Sequence, residues 1–192
     1  AEGKPRSART WGIDGATAAA LGRLADEESA TFYVLRLACL APVVAAMTGH
    51  DAVVVGGIFT NRNNAAVEHM IGPLANLVPL VVRCAPGASF REHVRAVKAE
   101  VTEAHRHADL PLVALLKALA ADGIDMPPPF LWIHVPTPSP PVTAAGLVIR
   151  QRNAPYVGAS GVVMVRFNPL AEEAGSTVSI DPRIYAPELL DD

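Results

Sequence analysis

Apolar patterns of two different periods predict an α/β domain for this chain: a layered, mixed β-sheet with helices packed on one face. Three observations carry that reading. Two β-branched runs bounded by Gly or Pro, at 51–60 and 76–84, have the composition of buried strands. Long apolar or amphipathic stretches of helical spacing lie on either side of them, and short strand-like runs separated by Pro-rich stretches fill the last third. A length of 192 residues suits one domain with a substantial core, and no repeat or linker divides it.

The elements follow in order. RTWGID, 9–14, reads as a short strand closed by Asp14-Gly15. ATAAALGRLADEES, 16–29, has helical spacing, and Thr31 then caps a long buried helix that runs to about Thr48 and is ended by Gly49. DAVVVGGIFT, 51–60, is an interior strand, with Gly56-Gly57 read as the pair that ends it. The turn NRNN, a short helix near 64–71 and a Gly72-Pro73 break lead to NLVPLVVRC, 76–84. Pro79 lacks the N–H a central ladder needs, so this second strand belongs at an edge or a bulge.

Ser89 caps an amphipathic helix whose stripe is Phe90, Val94, Val97, Val101 and His105, with Arg91, Glu92, Arg95, Lys98 and Glu103 outside it. Another helix runs from Pro111 to about Ala121, and Asp109 stands where an N-cap for it is expected. PPPFLWIHVPTPSPP supplies a strand at 130–135 and a Pro-rich loop. Strands follow near 146–151, 161–167 and 177–181, with a last helical turn near Ala186.

Composition narrows the function classes. Hydrophobic residues make up 51% and charged residues 18% of the chain, an ordinary globular balance. A net charge of −3 argues against a nucleic-acid surface, which would leave a basic excess. The most apolar stretch, Phe32 to Met47, is interrupted by Arg36 and is too short to span a membrane. The start AEGKPRSAR lacks the apolar core of a signal peptide, and it lacks an initiator Met as a trimmed segment would. Cys39 and Cys84, far apart inside apolar runs, read as buried reduced thiols of a cytoplasmic protein.

The stretch HRHADLP, 105–111, holds His105-x-x-x-Asp109, a spacing used for a general base and the carboxylate that organises its loop. Chance alone supplies roughly 0.3 such matches in a chain of this composition, so the spacing carries little weight. His105 continues the apolar stripe of its helix, and His and Asp at i and i+4 pair on helix surfaces as a matter of course. His105 and His107 point to different faces, and no Cys or carboxylate set completes a metal site. No GxSxG, Walker A or GxGxxG is present, and Cys39 lies in a helix without a neighbouring base. The residues alone describe an α/β domain with no self-contained catalytic set.

Three ordered motifs nevertheless resemble a known family. Val53 to Gly56 followed by Asn61-Arg62 is similar to its "VVVG" strand and Asn-Arg turn. Ile71, Gly72, Asn76, Pro79, Leu80 and Arg83 match "IGxFVNTLPLR", with Leu74 for the aromatic. His107, Asp109 and Pro111 match "HQDxPFE", and Thr31-Phe32 fits the start of the family's upstream helix. The chain thus resembles the C-terminal lobe of nonribosomal peptide synthetase condensation domains, over nearly its whole length and as a single lobe, 1–192.

The resemblance implies one lobe of a chloramphenicol-acetyltransferase-like fold. It implies a tunnel shared with an N-terminal lobe that carries the catalytic HHxxxDG, a motif this chain lacks, so no catalytic residue is assigned here. Peptidyl carrier proteins would deliver acyl and amino groups on phosphopantetheine arms, with no cofactor bound directly. Asn76, Gly72, Asn61 and Arg62 become tunnel- or substrate-facing candidates, with Asn76 able to orient a pantetheine amide or instead to close the Gly72-Pro73 turn. Arg62 fits a salt-bridge anchor better than a substrate contact, and His107, Asp109, Pro111 and Arg83 become structural motif residues. An isolated lobe would expose the apolar face its partner covers and self-associate.

Departures define the alternatives. The family's RDxSRNPL is reduced to DGIDMPPPF, and Ala159-Ser160-Gly161 stands where a late strand opens with Asp-Leu. Such losses suit a degenerate module that recruits carrier proteins or tailoring enzymes. A related acyltransferase with an alcohol acceptor is the other alternative.

Overall fold

The computed structural model of the chain describes residues 7–62, 65–124, 126, 131–134, 141–149, 163–167, 176–181 and 183–184. They fall into two compact units, Asp14–Ile133 and a second made of Ala1–Ile13 with His134–Asp192.

The unit from Asp14 to Ile133 begins with α1 (Gly15–Glu28) and α2 (Phe32–Thr48). Strand β2 (Ala52–Phe59), helix α3 (Ala65–Glu68) and strand β3 (Asn76–Arg83) follow, then α4 (Phe90–Arg106), α5 (Leu112–Ala121) and β4 (Leu131–His134). β2 runs antiparallel to β3 and parallel to β4, which makes the sheet mixed, as expected. Alternation sorts its residues by face. Val53, Val55, Leu80, Val82, Leu131 and Ile133 are all under 5% exposed, while Val54, Leu77, Pro79, Val81 and Trp132 on the other face are half-buried. The buried face meets Val94 and Val97 of α4 and Leu35, Leu37 and Ala38 of α2, all fully buried. Among the described residues Pro79 lies on a strand paired only through β2, so the missing N–H removes no bond from a neighbour.

Gly56 and Gly57 do not end β2; both are buried inside it. A Cβ on Gly57 would lie 2.8 Å from Tyr33 Oη and 3.1 Å from Leu80, and one on Gly56 would lie 3.0 Å from Leu77 and Trp132. The glycines let α2 and the large side chains approach the strand from its two faces. Tyr33 Oη is buried there without a hydrogen-bond partner among the described residues, and burial raises its pKa.

Local caps set the helix bounds. Thr31 Oγ1 accepts from Val34 N, and Gly49 at φ 69° ends α2. Ser89 and Glu92 form a reciprocal capping box on α4. Pro42 inside α2 has no N–H for the Ala38 carbonyl four residues back. His93 of α4, 8% exposed, hydrogen-bonds that carbonyl instead, and its Nε2 has no partner among the described residues. Desolvation holds the imidazole below its ordinary pKa, so it stays neutral. Between α1 and α4, Glu28 accepts from Arg95 Nε at 2.6 Å and from Arg91, and Lys98 Nζ donates to the Glu28 carbonyl at 2.9 Å. The bonds from Arg95 and then Arg91 lower the Glu28 pKa to about 2.

In the second unit, β1 (Ser7–Trp11), β8 (Ser176–Ile180) and β7 (Val163–Arg166) form an antiparallel ladder in the order β1-β8-β7. Trp11 packs edge-on against Phe167, with ring centroids 6.2 Å apart. Asp181, 1% exposed, is held bidentately by Arg183 Nε at 2.9 Å and Nη2 at 2.6 Å. β5 (Val142–Ala144) and β6 (Leu147–Ile149) form a hairpin through Ala145-Gly146, both at positive φ. A strand expected near 146–151 is thus the second arm of a hairpin. The first arm is hidden in sequence behind the Pro-rich run. The helical turn expected near Ala186, and Ala159-Ser160-Gly161, lie outside the described residues.

The thiols differ from expectation. Both are free, but Cys39 is exposed on α2 and Cys84 is half-buried after β3. A helix apolar by composition still presents one side to solvent, and Cys39 falls on it.

The two titrating groups give stability a two-step pH dependence. Below pH 6.5 the unfolded chain takes up a proton at residue 93 that the folded chain resists, so stability present above 6.5 falls as pH drops toward the lowered folded value. The Glu28 contribution is present above its ordinary 4.5 and is lost as pH falls toward about 2. Urea midpoints across pH 7.5 to 3 are expected to fall in both windows. His93→Gln, which keeps a donor for Ala38, should flatten the upper one only; an unchanged upper slope would refute the assignment.

Candidate functional site

The three sequence motifs meet at one place. β2 ends at Phe59, whose register partner is Asn76, the first residue of β3. Asn61, two residues past the end of β2, and Asn76 both reach the junction between α4 and α5. Asn61 Nδ2 donates to the Ala108 carbonyl at 3.0 Å, and Asn76 Nδ2 donates to the same oxygen at 2.8 Å. Asn76 Nδ2 also donates to the Leu110 carbonyl at 2.7 Å, and its Oδ1 accepts from Leu112 N at 3.4 Å.

That geometry corrects the cap expected of Asp109. Helix α5 starts at Leu112 with Pro111 at the cap position and no side-chain cap bond of its own. Asn76, 36 residues earlier in the chain, provides the acceptor that a local cap would. Its amide thus bonds protein groups through both its nitrogen and its oxygen, a structural role the sequence did not indicate.

Arg62 is likewise committed. Its guanidinium donates to the carbonyls of Val67 at 3.0 Å, Glu68 at 3.4 Å, Met70 at 2.6 Å and Gly72 at 3.3 Å. These are carbonyls at the end of α3 and the turn beyond it, so Arg62 anchors that turn through neutral acceptors rather than through a salt bridge. Gly72 is exposed in the turn and Arg83 is exposed at the end of β3, opposite Ala52.

The junction walls a groove of about 680 Å³. Val78 and Pro79 of β3 and Leu110, Pro111 and Leu115 provide its apolar surface; Glu100, Glu103, Arg106, His107 and Asp109 stand around it. His107 closes α4 as its C-cap, with Nε2 3.3 Å from Glu103 Oε1, and Arg106 Nη1 lies 2.8 Å from the other Glu103 oxygen. His105 does not pair with Asp109: α4 ends before the aspartate, and the His105 ring stacks at 5.2 Å on Phe59. Missed in the sequence were Glu100 and Glu103, whose i, i+3, i+7 spacing to His107 is the available signal that all three share a face. Among the described residues no group of three His, Cys, Asp or Glu could hold a metal ion.

The family model described as Condensation domain matches residues 4–126. The chain belongs to the condensation domain family.

Bacitracin synthase 3 of Bacillus licheniformis is 32% identical over 107 residues, 56% of this chain and 2% of that protein. N-(5-amino-5-carboxypentanoyl)-L-cysteinyl-D-valine synthase of Amycolatopsis lactamdurans is 30% identical over 122 residues, 64% of this chain and 3% of that protein. The first condensation domain of the CDA synthetase superposes with a TM-score of 0.75 at 22% identity, over 99% of this chain and 43% of that one. A four-domain nonribosomal peptide synthetase bound to AMP and glycine superposes with a TM-score of 0.79 at 10% identity, over 98% of this chain and 16% of that one. The chain therefore spans a few per cent of these curated relatives and less than half of a solved condensation domain. Their fold is the α/β, chloramphenicol-acetyltransferase-like class expected from the sequence.

The shared cap makes Asn76 the residue on which the condensation-domain junction depends. Asn76→Ala removes two donors and the α5 acceptor and should lower stability by about 1–3 kcal/mol, read as a urea midpoint. Asn76→Asp keeps the acceptor for Leu112 N but turns carboxylate oxygen toward two carbonyls, so it should be no more stable than Asn76→Ala. A wild-type midpoint for Asn76→Asp would show that the carbonyl contacts contribute nothing.

Proposed function

We propose that this chain is the C-terminal lobe of a nonribosomal peptide synthetase condensation domain and works only with an N-terminal lobe that supplies HHxxxDG. The observation that carries the reading is coverage: nearly the whole chain superposes on less than half of a condensation domain. The sequence also contains no HHxxxDG. In the reaction proposed for the two-lobed protein, an amine on one carrier attacks the thioester carbonyl on another. The C–N bond forms, the C–S bond breaks, the thiol of the donor's phosphopantetheine arm leaves, and the amine proton passes to a base outside this chain. The contribution of this chain is a preorganised wall, since its motif amides are held by its own backbone.

Carrier proteins and the N-terminal lobe are the partners of this reading, and its setting is the cytoplasm. Among the described residues no single helix is long and apolar enough to cross a membrane; α1 and α2 pass that test only as a pair bent by 113°.

The test joins this chain to an N-terminal lobe bearing HHxxxDG and supplies donor and amine acceptor on separate carriers. The chain alone should give no amide and the two-lobed protein should give at least about a hundredfold more product than background. Product from the chain alone would overturn the lobe reading. Carrier binding without product would favour the recruiting module, and preference for an alcohol acceptor would favour the other acyltransferase branch.

The isolated chain should also self-associate. Val113 on α5 is 64% exposed, and on the β5–β6 hairpin Leu147 is 67% exposed beside exposed Val142, Val148 and Ile149. Light scattering is expected to give a mass above that of the monomer, rising with concentration; a clean monomer throughout would contradict it.

A further inference from the structure

We infer that Asn61 is a positioning residue: its side-chain amide fixes the Ala108 peptide and thereby the His107 and Asp109 sides of the groove. The inference rests on the condensation-domain reading, and takes the groove as the part of the proposed wall that meets the carrier-bound amine.

Asn61 has φ 51°, in the left-handed region that glycine enters freely and Asn tolerates. Glycine would satisfy that backbone. What Asn adds is the amide, and it makes no local bond: Nδ2 reaches Ala108, 47 residues further along the chain, at 3.0 Å. Asn61 Oδ1 is buried with no partner among the described residues, so the nitrogen alone orients the side chain. A flipped amide would face oxygen to oxygen, which fixes the orientation chemically.

Asn76 shares the Ala108 carbonyl but does a different job. It also holds Leu110 and Leu112, the α5 side of the junction. Asn61 bonds only Ala108, whose N–H is taken by the His105 carbonyl at 3.3 Å and which is 1% exposed. Losing Asn61 therefore leaves α5 docked and leaves the Ala108 carbonyl with Asn76 as its single side-chain donor, so the peptide is held by one such bond in place of two. That carbonyl belongs to the peptide joining Ala108 to Asp109, with His107 one residue earlier, and both His107 and Asp109 line the groove. Asn61 touches neither the groove nor a reacting atom; it acts through Ala108.

Asn61→Gly keeps the left-handed turn and deletes the amide, while Asn61→Asp keeps shape and replaces the donor with an acceptor. In the two-lobed domain, both should raise hydrogen exchange at residues 107–110 about tenfold and leave α5 and β2 unchanged. The KM for the carrier-bound amine should rise about fivefold with kcat within about twofold, because the groove wall and not the base is disturbed. A generally unstable variant would instead lose protection everywhere, which overturns a positioning role. Unchanged exchange in Asn61→Gly overturns it too, and so does raised exchange with both KM and kcat at wild-type values. If the wild-type domain forms no amide, the function reading fails separately. Exchange then decides alone: a rise confined to 107–110 sustains the inference and its absence ends it.

Discussion

Helix α5 begins without a cap of its own, and the site depends on how that deficit is met. Pro111 contributes no donor and no side-chain acceptor at the helix start, and the backbone of the junction before it bonds within itself in short turns, Ala108 to His105 and Leu110 to His107. An isolated helix of ten residues is marginal in water, and α5 buries none of its residues fully, so its half-buried leucines hold it less firmly than a core face would. One amide on a strand supplies what is missing. Asn76 accepts from the first helical N–H and donates to two carbonyls of the turn, which ties α5 and the end of α4 to the sheet. A side chain at the first position of β3 can do this because the strand itself is immobilised by eight paired residues of β2.

The rigidity of that strand pair is in turn a packing result. Valines and leucines fill the face under α2 and α4, and Gly56 and Gly57 remove the Cβ atoms that would hold large side chains away. Pro42 and His93 show the same economy between the helices. A proline in mid-helix leaves a carbonyl unpaired, and a buried neutral imidazole from the neighbouring helix satisfies it. Both devices place a polar or conformational irregularity where another element compensates for it. The opposite face of the sheet and the outer side of α5 receive no such treatment from the described residues, which fits a chain that forms part of a larger fold.

How far the sequence was legible follows the range of each interaction. The bounds of α2 and the start of α4 could be read within a residue or so, because Thr31, Gly49 and Ser89 act on their own backbone. The edge position of Pro79 was legible for the same reason: a missing N–H is a property of the residue. Asp109 misled because the N-cap rule is local, and the acceptor for α5 comes from 36 residues away. Arg62 was expected to find an anion and found four carbonyls, since charge predicts that a donor will be used but not which acceptor folding brings near. His93 was invisible because nothing in a sequence links a helical histidine to the proline that frees its partner.

The same distinction explains why the family could be recognised while the roles of its motif residues could not. Asn61, Asn76 and the HADLP stretch stand far apart in the chain and converge on a single carbonyl. A residue held by such convergence cannot be exchanged without unpairing the others, so its type and order carry the signature of the fold. The amide of Asn76 and the guanidinium of Arg62 both bond backbone groups that the sequence could not have paired with them. The His105-x-x-x-Asp109 spacing that suggests a general base sits beside this junction by accident of helix length: α4 ends between the two residues, and His105 turns to Phe59. What the motifs encode here is the shape of this junction, and under the proposed reading the reacting groups come from the N-terminal lobe.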